Sequence, residues 1–362
     1  MKRIAILSVS ALRNTVMISV YTDYLLRNKD IYQYDYIYLD KFHEEEKTGA
    51  QTNYRYEYDS TSVLGKIKGY LGFIRYGTSI LKKNKYDYII VWNELSAALF
   101  MNVLVSHYRG RYCINIRDLF EGKQAFLDNR LFKAIKNASY VSVPTTDYYE
   151  RLPQNYRHYI QFHSFNDSFM SKTKRREYNT NVERIRILYI GNIRFFDYLY
   201  DLIDKIKNDS RYELLIAGGG SEPLNDWIKK HNVTNVIVKG KFQKEDTPSF
   251  LEQADVIYNL YGDEDFNLRT ALSNKLYYAL YLHLPILVCK NTAMYRITNE
   301  CGIGYPVIKG VNDGFADDFY EWFNNLDRNA IALKCDEMIL QAKNSQIKLI
   351  EELENSMSLS GR

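Results

Sequence analysis

Residues 185–220 read IRILYIGNIRFFDYLYDLIDKIKNDSRYELLIAGGG. The apolar run Ile185–Ile190 has the pattern of a strand buried on both faces, as in a parallel sheet covered by helices. A glycine turn, Gly191-Asn192-Ile193-Arg194, ends it, and helical periodicity follows over Asp197–Lys207. A second strand, Tyr212–Ala217, runs into Gly218-Gly219-Gly220, ahead of an amphipathic stretch from Ser221 to Ile228. Strand, glycine turn and helix in that order bring backbone N–H groups close to an anion at the C-terminal edge of a sheet. A phosphate-binding wall is one reading of the second turn, and a tight turn with no ligand is the other.

The same cycle repeats outward. Helix Pro223–His231, strand Asn235–Lys239, helix Pro248–Gln253, strand Ala254–Leu260, helix Leu268–Tyr281, strand Pro285–Val288 and a helix near Ala293–Asn299 continue it. Towards the N-terminus, apolar runs occur at Arg3–Val9, Tyr34–Leu39, Tyr88–Trp92, Tyr112–Ile116 and Tyr140–Val143, with helix-like segments between most of them. That alternation is the signature of a parallel sheet with crossover helices. Between the two cycles, SKTKRREYNTNVE (171–183) has almost no apolar side chain and reads as a linker. The expected architecture is therefore α/β, with two doubly wound Rossmann-like domains facing a cleft. Residues 1–170 form the first, 171–184 the linker and 185–329 the second. The tail 330–362 holds a long helix, Ala330–Leu353, packing back across the domains.

Composition narrows the classes. The chain has 362 residues, suited to two cores of common size, and its apolar (46%) and charged (25%) fractions are those of a globular protein. Its 33 tyrosines, alongside abundant Lys, Asn and Ile, read as codon bias. The net charge is +4, but residues 1–170 carry 23 Lys and Arg against 17 Asp and Glu. A basic first half suits an anionic surface or substrate, though too weakly for nucleic acid, and no nucleic-acid motif is present. Cys113, Cys289, Cys301 and Cys335 are far apart and read as buried free thiols of a reducing compartment. Met1-Lys2-Arg3 leads into an apolar run too short for a signal peptide, and no run has transmembrane length. The expectation is a cytoplasmic protein, peripheral at the inner face of the cell membrane if it meets a membrane at all. The segment 64–85 would make that contact, having six basic residues, no acidic one, and Leu64, Ile67, Leu71, Ile74 and Leu81 roughly on one helical face. A crossover helix with its apolar face in the core is the competing reading.

An ordered set of motifs carries a family resemblance: LYIGNIR at Leu188–Arg194, LLIAGGG at Leu214–Gly220, VIVKGKF at Val236–Phe242, QADVIYNLY at Gln253–Tyr261 and SNKLYYALYLHLPILV at Ser273–Val288. The second half resembles the nucleotide-sugar-binding domain of GT-B-fold glycosyltransferases, in particular those of bacterial capsule and exopolysaccharide assembly. The resemblance implies that Gly191, Asn192 and Arg194 flank a donor diphosphate, with Arg194 binding phosphate oxygens through its guanidinium fork. It implies that Gly218, Gly219 and Gly220 form the next wall, and that Lys241 and Phe242 flank the base, where Phe242 either stacks or belongs to the core. Asn274 and Lys275 match as well, Lys275 reaching the diphosphate or standing as an exposed helix residue. Many relatives have glutamates where Thr270 and Tyr278 stand here, and Tyr278 would take over a hydrogen bond to ribose. Asp118, after Tyr112–Ile116, is either an acceptor-side base or a helix cap, and His163 is a cleft or a packed loop histidine.

No dinucleotide fingerprint Gly-x-Gly-x-x-Gly occurs, which argues against a dehydrogenase. Asp263-Glu264-Asp265 fits an Asp-x-Asp metal pattern of another transferase fold. The surrounding order implies the metal-independent one, with no cofactor and no metal site. The resemblance thus implies transfer of a sugar from a nucleotide-diphospho-sugar to a saccharide acceptor, lipid-linked or oligosaccharide, with retention favoured. A non-catalytic GT-B-like partner of another transferase is the alternative.

Overall fold

Mainly apolar runs must be covered on both faces, and the central strands of both sheets are built from them. The computed structural model describes residues 1–11, 15, 17–41, 43, 48–59, 62–120, 124–175, 182–308 and 313–359. Unit 1 comprises Met1–Ser164 with Asn344–Arg362, and unit 2 comprises Phe165–Lys343. The division falls at Ser164/Phe165, earlier than the polar stretch 171–184 suggested, because Phe165 and Met170 are buried in the core of unit 2. Of that stretch, 176–181 lie outside the described residues.

Unit 1 runs β1 (Lys2–Ser8), α1 (Ser19–Arg27), β2 (Tyr32–Asp40), β3 (Thr52–Glu57), α2 (Val63–Asn84), β4 (Tyr88–Trp92), α3 (Glu94–His107), β5 (Tyr112–Asn115), α4 (Ala125–Ile135), β6 (Val141–Val143) and β7 (Tyr159–Gln161). The seven strands are parallel, in the order β3-β2-β1-β4-β5-β6-β7. Strands β3 and β7 were not read from the sequence; every residue of either strand is at least partly exposed. Helix α2 has glycines where β3 and the residue after it press on the helix. A Cβ at Gly72 would lie 1.9 Å from the Tyr56 hydroxyl, and one at Gly69 would lie 2.1 Å from the Tyr58 ring.

Unit 2 runs α5 (Asp167–Met170), β8 (Ile185–Ile190), α6 (Phe196–Ile206), β9 (Tyr212–Ala217), α7 (Glu222–Lys230), β10 (Val236–Gly240), α8 (Thr247–Leu251), β11 (Val256–Asn259), α9 (Phe266–Thr270), α10 (Asn274–Leu282), β12 (Ile286–Cys289), α11 (Ala293–Glu300), β13 (Gly304–Val307) and α12 (Phe315–Asn324). Its sheet, also parallel, has the order β10-β9-β8-β11-β12-β13. Period-2 alternation divides its strands cleanly. Ile187, Tyr189, Leu214, Ile216 and Tyr258 face α6, α7 and α12. Leu188, Ile190, Leu215, Ile257 and Val288 face α8, α10 and α11. The single helix expected over Leu268–Tyr281 is two, because Ala271 turns to extended backbone and Ser273 caps α10 by accepting from Lys275 N–H.

The last helix, α13 (Arg328–Leu359), serves both cores. Ile331, Cys335, Ile339 and Ala342 belong to that of unit 2, and Leu349, Leu353 and Met357 to that of unit 1. Nor are the tyrosines mere codon background. Eleven of the twelve largest fully buried side chains are tyrosines. Buried phenols need partners, and Tyr86 donates to Asp35 (2.6 Å) and Tyr108 to the Leu81 carbonyl (2.6 Å).

Leu353→Ala should lower the stability of unit 1 by about 2–5 kcal/mol, since it opens a cavity at a fully buried position. Leu359→Ala, at a side chain 71% exposed, should change it by no more than about 0.5 kcal/mol. Urea denaturation of the two variants checks both.

Candidate functional site

In an open parallel sheet, the crevice for a ligand opens at the carboxyl ends of the two strands where the chain order reverses. In unit 2 these are β8 and β11, and in unit 1 they are β1 and β4.

At the end of β8, Gly191 has φ +110°, a conformation open to glycine. The next strand end lies hard against it. A Cβ at Gly218 would sit 1.8 Å from the Gly191 carbonyl oxygen, so no other residue fits. Gly191 N–H donates to Ala217 O (2.9 Å), Ile193 N–H to Gly219 O (2.9 Å) and Gly218 N–H to Gly240 O (2.8 Å). The last bond means that Gly218 has no backbone donor left for an anion, contrary to the simplest reading of a glycine turn. The Tyr189 hydroxyl pins the loop from below, accepting from Arg194 N–H (3.0 Å) and donating to Asn192 O (3.2 Å).

Into this crevice comes Lys275, from the first turn of α10. It is not an exposed helix residue, being only 6% exposed. Its ammonium donates to the Tyr261 hydroxyl and lies 4.7 Å from the Tyr261 ring centre and 5.3 Å from that of Tyr189. A Cβ on Gly191 would lie 3.9 Å from Nζ. No carboxylate is paired with it among the described residues. Burial, reinforced by the Arg194 guanidinium, pulls its pKa down to about 7. Arg194 itself is exposed, as is Asn192, whose Oδ1 lies 3.6 Å from the position of a Cβ on Gly219. The structure thus brings Gly191, Asn192, Arg194, Gly218, Gly219, Gly220 and Lys275 to one place, with Asn274 beginning the same helix.

Other candidates have structural employment. Phe242 packs edge-to-face on Phe250 (5.1 Å) against the core, while Lys241 is exposed. Tyr278 is half-buried beside Phe169 (6.3 Å). The Thr270 hydroxyl donates to Phe266 O (2.7 Å). Of the acidic triplet, Asp263 accepts from Asn291 (2.7 Å), Glu264 from Tyr198 (3.2 Å), and Asp265 caps α9 through Leu268 N–H (2.8 Å).

The crevice of unit 1 holds a residue that the sequence did not single out. Asn93 follows β4 with φ +72° and ψ 160°, an uncommon conformation for any residue but glycine. Its side chain caps α3 by accepting from Ser96 N–H (2.8 Å), and the Ser96 hydroxyl accepts from Val9 N–H (2.9 Å) at the end of β1. Glu94 comes next. Its Oε2 is sealed from solvent with no hydrogen-bond partner, although the residue as a whole is only half-buried. Burial pushes the carboxyl up to about 7; Asp118 adds to the rise, and the backbone N–H groups of Glu94, Asp118 and Arg117 oppose it. Asn115 Oδ1 and Arg117 Nη1 are likewise buried without partners. Asp118 is exposed beside this group and does not cap α4, which begins at Ala125 behind Gln124. His163 is a packed histidine: its backbone bonds Ser345 and Gln346, and burial holds its ring neutral, down at about 4. An isolated glutamate at a helix start gives no sequence signal. Only the strand order shows that Glu94 stands at the reversal.

Comparison with solved structures gives the fold its class, GT-B. HepE from Anabaena, in complex with UDP, is 11% identical with a TM-score of 0.65, over 98% of this chain and 100% of that one. Sucrose-phosphate synthase from Thermosynechococcus elongatus is 12% identical (TM-score 0.66; 97% and 100% covered). WaaG, a glycosyltransferase involved in lipopolysaccharide biosynthesis, is 11% identical (TM-score 0.59; 95% of each). Residues 170–269, which hold Gly191, Arg194 and Gly218, match the family model of glycosyl transferases group 1. Family match and fold together support a glycosyltransferase. No curated protein sequence matches the chain at a significant level.

The raised pKa of Glu94 makes stability depend on pH in a defined direction. The folded protein keeps this proton up to about pH 7, whereas an unfolded glutamate loses it near 4.5. Between those values the folded state holds more protons, so this contribution falls as pH rises. Glu94→Gln should remove that slope and leave the variant more stable than the parent at pH 8, as read by denaturation at pH 5 and pH 8.

Proposed function

We propose that the protein transfers a sugar from a nucleotide-diphospho-sugar to a saccharide acceptor, with unit 2 taking the donor and unit 1 the acceptor. One observation carries the reading: the buried ammonium of Lys275, with no carboxylate partner, beside Arg194 at the β8/β11 reversal. Two cations that repel each other in the free protein are stabilised by a group bearing two negative charges. A diphosphate is such a group. Charge developing on the leaving diphosphate would then be offset by Arg194 and Lys275, with no metal and no cofactor required. The bound UDP of the HepE structure fits the same class of donor. In unit 1, Glu94 and Asp118 are the groups suited to hold and deprotonate an acceptor hydroxyl. Retention of configuration is favoured by the family resemblance.

The finer reading is assembly of a surface polysaccharide, capsule or exopolysaccharide, on a lipid-linked acceptor at the inner face of the membrane. It draws support from α2. Among the described residues no helix is long and apolar enough to cross a membrane. Of the stripe read as membrane-facing, Leu81 is core and Ile74 half-buried, but Leu64, Ile67 and Leu71 are 74%, 52% and 51% exposed. The face that the helix buries is formed by Gly69, Phe73, Gly77, Ile80 and Leu81. A basic helix with an exposed apolar stripe suits a peripheral contact with an anionic membrane.

A second reading, a non-catalytic partner of another transferase, has its own observation. Thr270 and Tyr278 stand where relatives have glutamates, and the Thr270 hydroxyl is committed to its own helix. Binding of nucleotide without turnover of any nucleotide-sugar would favour this reading.

UDP, tried first in a nucleoside diphosphate panel, should raise the melting temperature, and Arg194→Ala should abolish the rise. No shift with any nucleotide would overturn the transferase reading. At pH 8 the free Lys275 is mostly neutral, and a neighbouring diphosphate raises its pKa, so binding should take up protons from solution. Calorimetry in buffers of different ionisation enthalpy measures that uptake. Lys275→Met should eliminate it and weaken binding, while raising the melting temperature of the free protein at pH 7 by removing a buried amine.

A further inference from the structure

Unit 1 has a second concavity, built from α2, α3 and α4. Its volume is about 760 Å³, within the range of about 300–1,000 Å³ usual for small-molecule sites. Leu71, Ile74, Leu99, Phe100, Val103 and Phe126 form its apolar lining. Leu71 and Phe126 are 51% and 72% exposed, so large apolar surface stands uncovered there. Among the described residues, Arg75, Lys82 and Arg130 are the charged ones of the lining, and no acidic side chain joins them. Helix α2 as a whole carries five Lys and Arg and no Asp or Glu. The walls are firmly set. Arg130 donates from Nε to Ala98 O (2.8 Å) and from Nη2 to Leu99 O (3.2 Å), tying α4 to α3. On the other side, a Cβ at Gly77 would lie 2.7 Å from the Phe100 ring, so α2 and α3 meet closely there.

An apolar trough whose charged lining residues are all cations is complementary to a molecule with an apolar body and an anionic end. We propose that this groove binds the hydrocarbon chain of one phosphate-headed lipid, with the chain along Leu71, Ile74, Leu99, Val103 and Phe126 and the phosphate against Arg75 and Lys82. This goes beyond a helix resting on a membrane surface, because it predicts a stoichiometric site for a single chain. It stands apart from nucleotide binding by unit 2, so the two readings fail separately.

Dodecyl phosphate, kept below its micelle-forming concentration, is the probe, and titration calorimetry the measurement. Saturable binding of one molecule per chain is expected. Dodecyl maltoside, with the same tail and a neutral head, should bind at least about tenfold more weakly, as expected when charge-assisted hydrogen bonds are lost. Inorganic phosphate should not bind measurably. Thr78→Trp, which fills the groove from its partly exposed lining, should abolish binding. The double variant Arg75→Glu, Lys82→Glu, at two exposed positions, should weaken it by a similar factor to the change of head group. Equal binding of the two detergents, several molecules per chain, or unchanged affinity in Thr78→Trp would each overturn the proposal. So would adsorption to phosphatidylglycerol vesicles with no binding of the monomeric probe, which would indicate surface contact alone. The UDP melting shift, read on the same variants, should be unchanged, which separates a lost lipid site from a misfolded protein or a failed donor reading.

Discussion

Each parallel sheet is covered by helices on both faces, and this constraint governs where chemistry can occur. A strand such as β8 sends Ile187 and Tyr189 to one core and Leu188 and Ile190 to the other, leaving no solvated side from Ile187 to Ile190. Functional side chains are therefore confined to the strand ends, and among those ends to the reversal of chain order, where the crossovers diverge and leave a gap. Both units follow this rule. In unit 2 it gathers Gly191, Arg194 and Lys275, and in unit 1 Asn93, Glu94 and Asp118. The groove on α2, α3 and α4 lies outside the rule, since it is formed between helices.

Electrostatics at the two reversals have opposite sign and a common cause. Lys275 is held down and Glu94 held up, in both cases chiefly because burial disfavours the charged form. Each has a neighbour of its own sign, Arg194 and Asp118, that adds to the shift. The fold thus holds two groups close to neutrality at pH 7 that would be fully charged in water. Neither residue improves the stability of the empty protein. Such arrangements are found where a ligand supplies the missing partner.

Much of this was legible in the sequence where burial is symmetrical. Strands Ile185–Ile190 and Tyr212–Ala217 have the boundaries their apolar runs suggest, because four consecutive buried positions in each, 187–190 and 214–217, leave a continuous apolar pattern. The glycine turns were legible for the same reason, each being the break that ends such a run, and Arg194 was legible as part of the first turn. What the sequence concealed is of a different kind. Gly218 reads as an anion-binding turn, but its necessity comes from the Gly191 carbonyl, 27 residues away in the chain. The burial of Lys275 depends on Tyr189 and Tyr261, two aromatic residues on other elements. Glu94 matters only through the order of strands, which no local pattern encodes. The apolar stripe of α2 illustrates the limit most directly: periodicity found the helix but did not say which of its faces is covered.

Helix α13 has a consequence for how the chain is made. Unit 2 is encoded entirely between the two pieces of unit 1, so its residues are all available once Lys343 has been synthesised. Unit 1 begins with β1, ahead of unit 2, yet its core lacks Leu349, Leu353 and Met357 until the second piece of the unit is made. The Lys2 ammonium even donates to the carbonyl of Met357. During synthesis, then, the sheet laid down first must wait with one apolar face incomplete while a whole second unit is translated. Closing so long a span is slow, and exposed strands are prone to aggregate in the meantime. Of the two units, the one begun first is thus the one finished last.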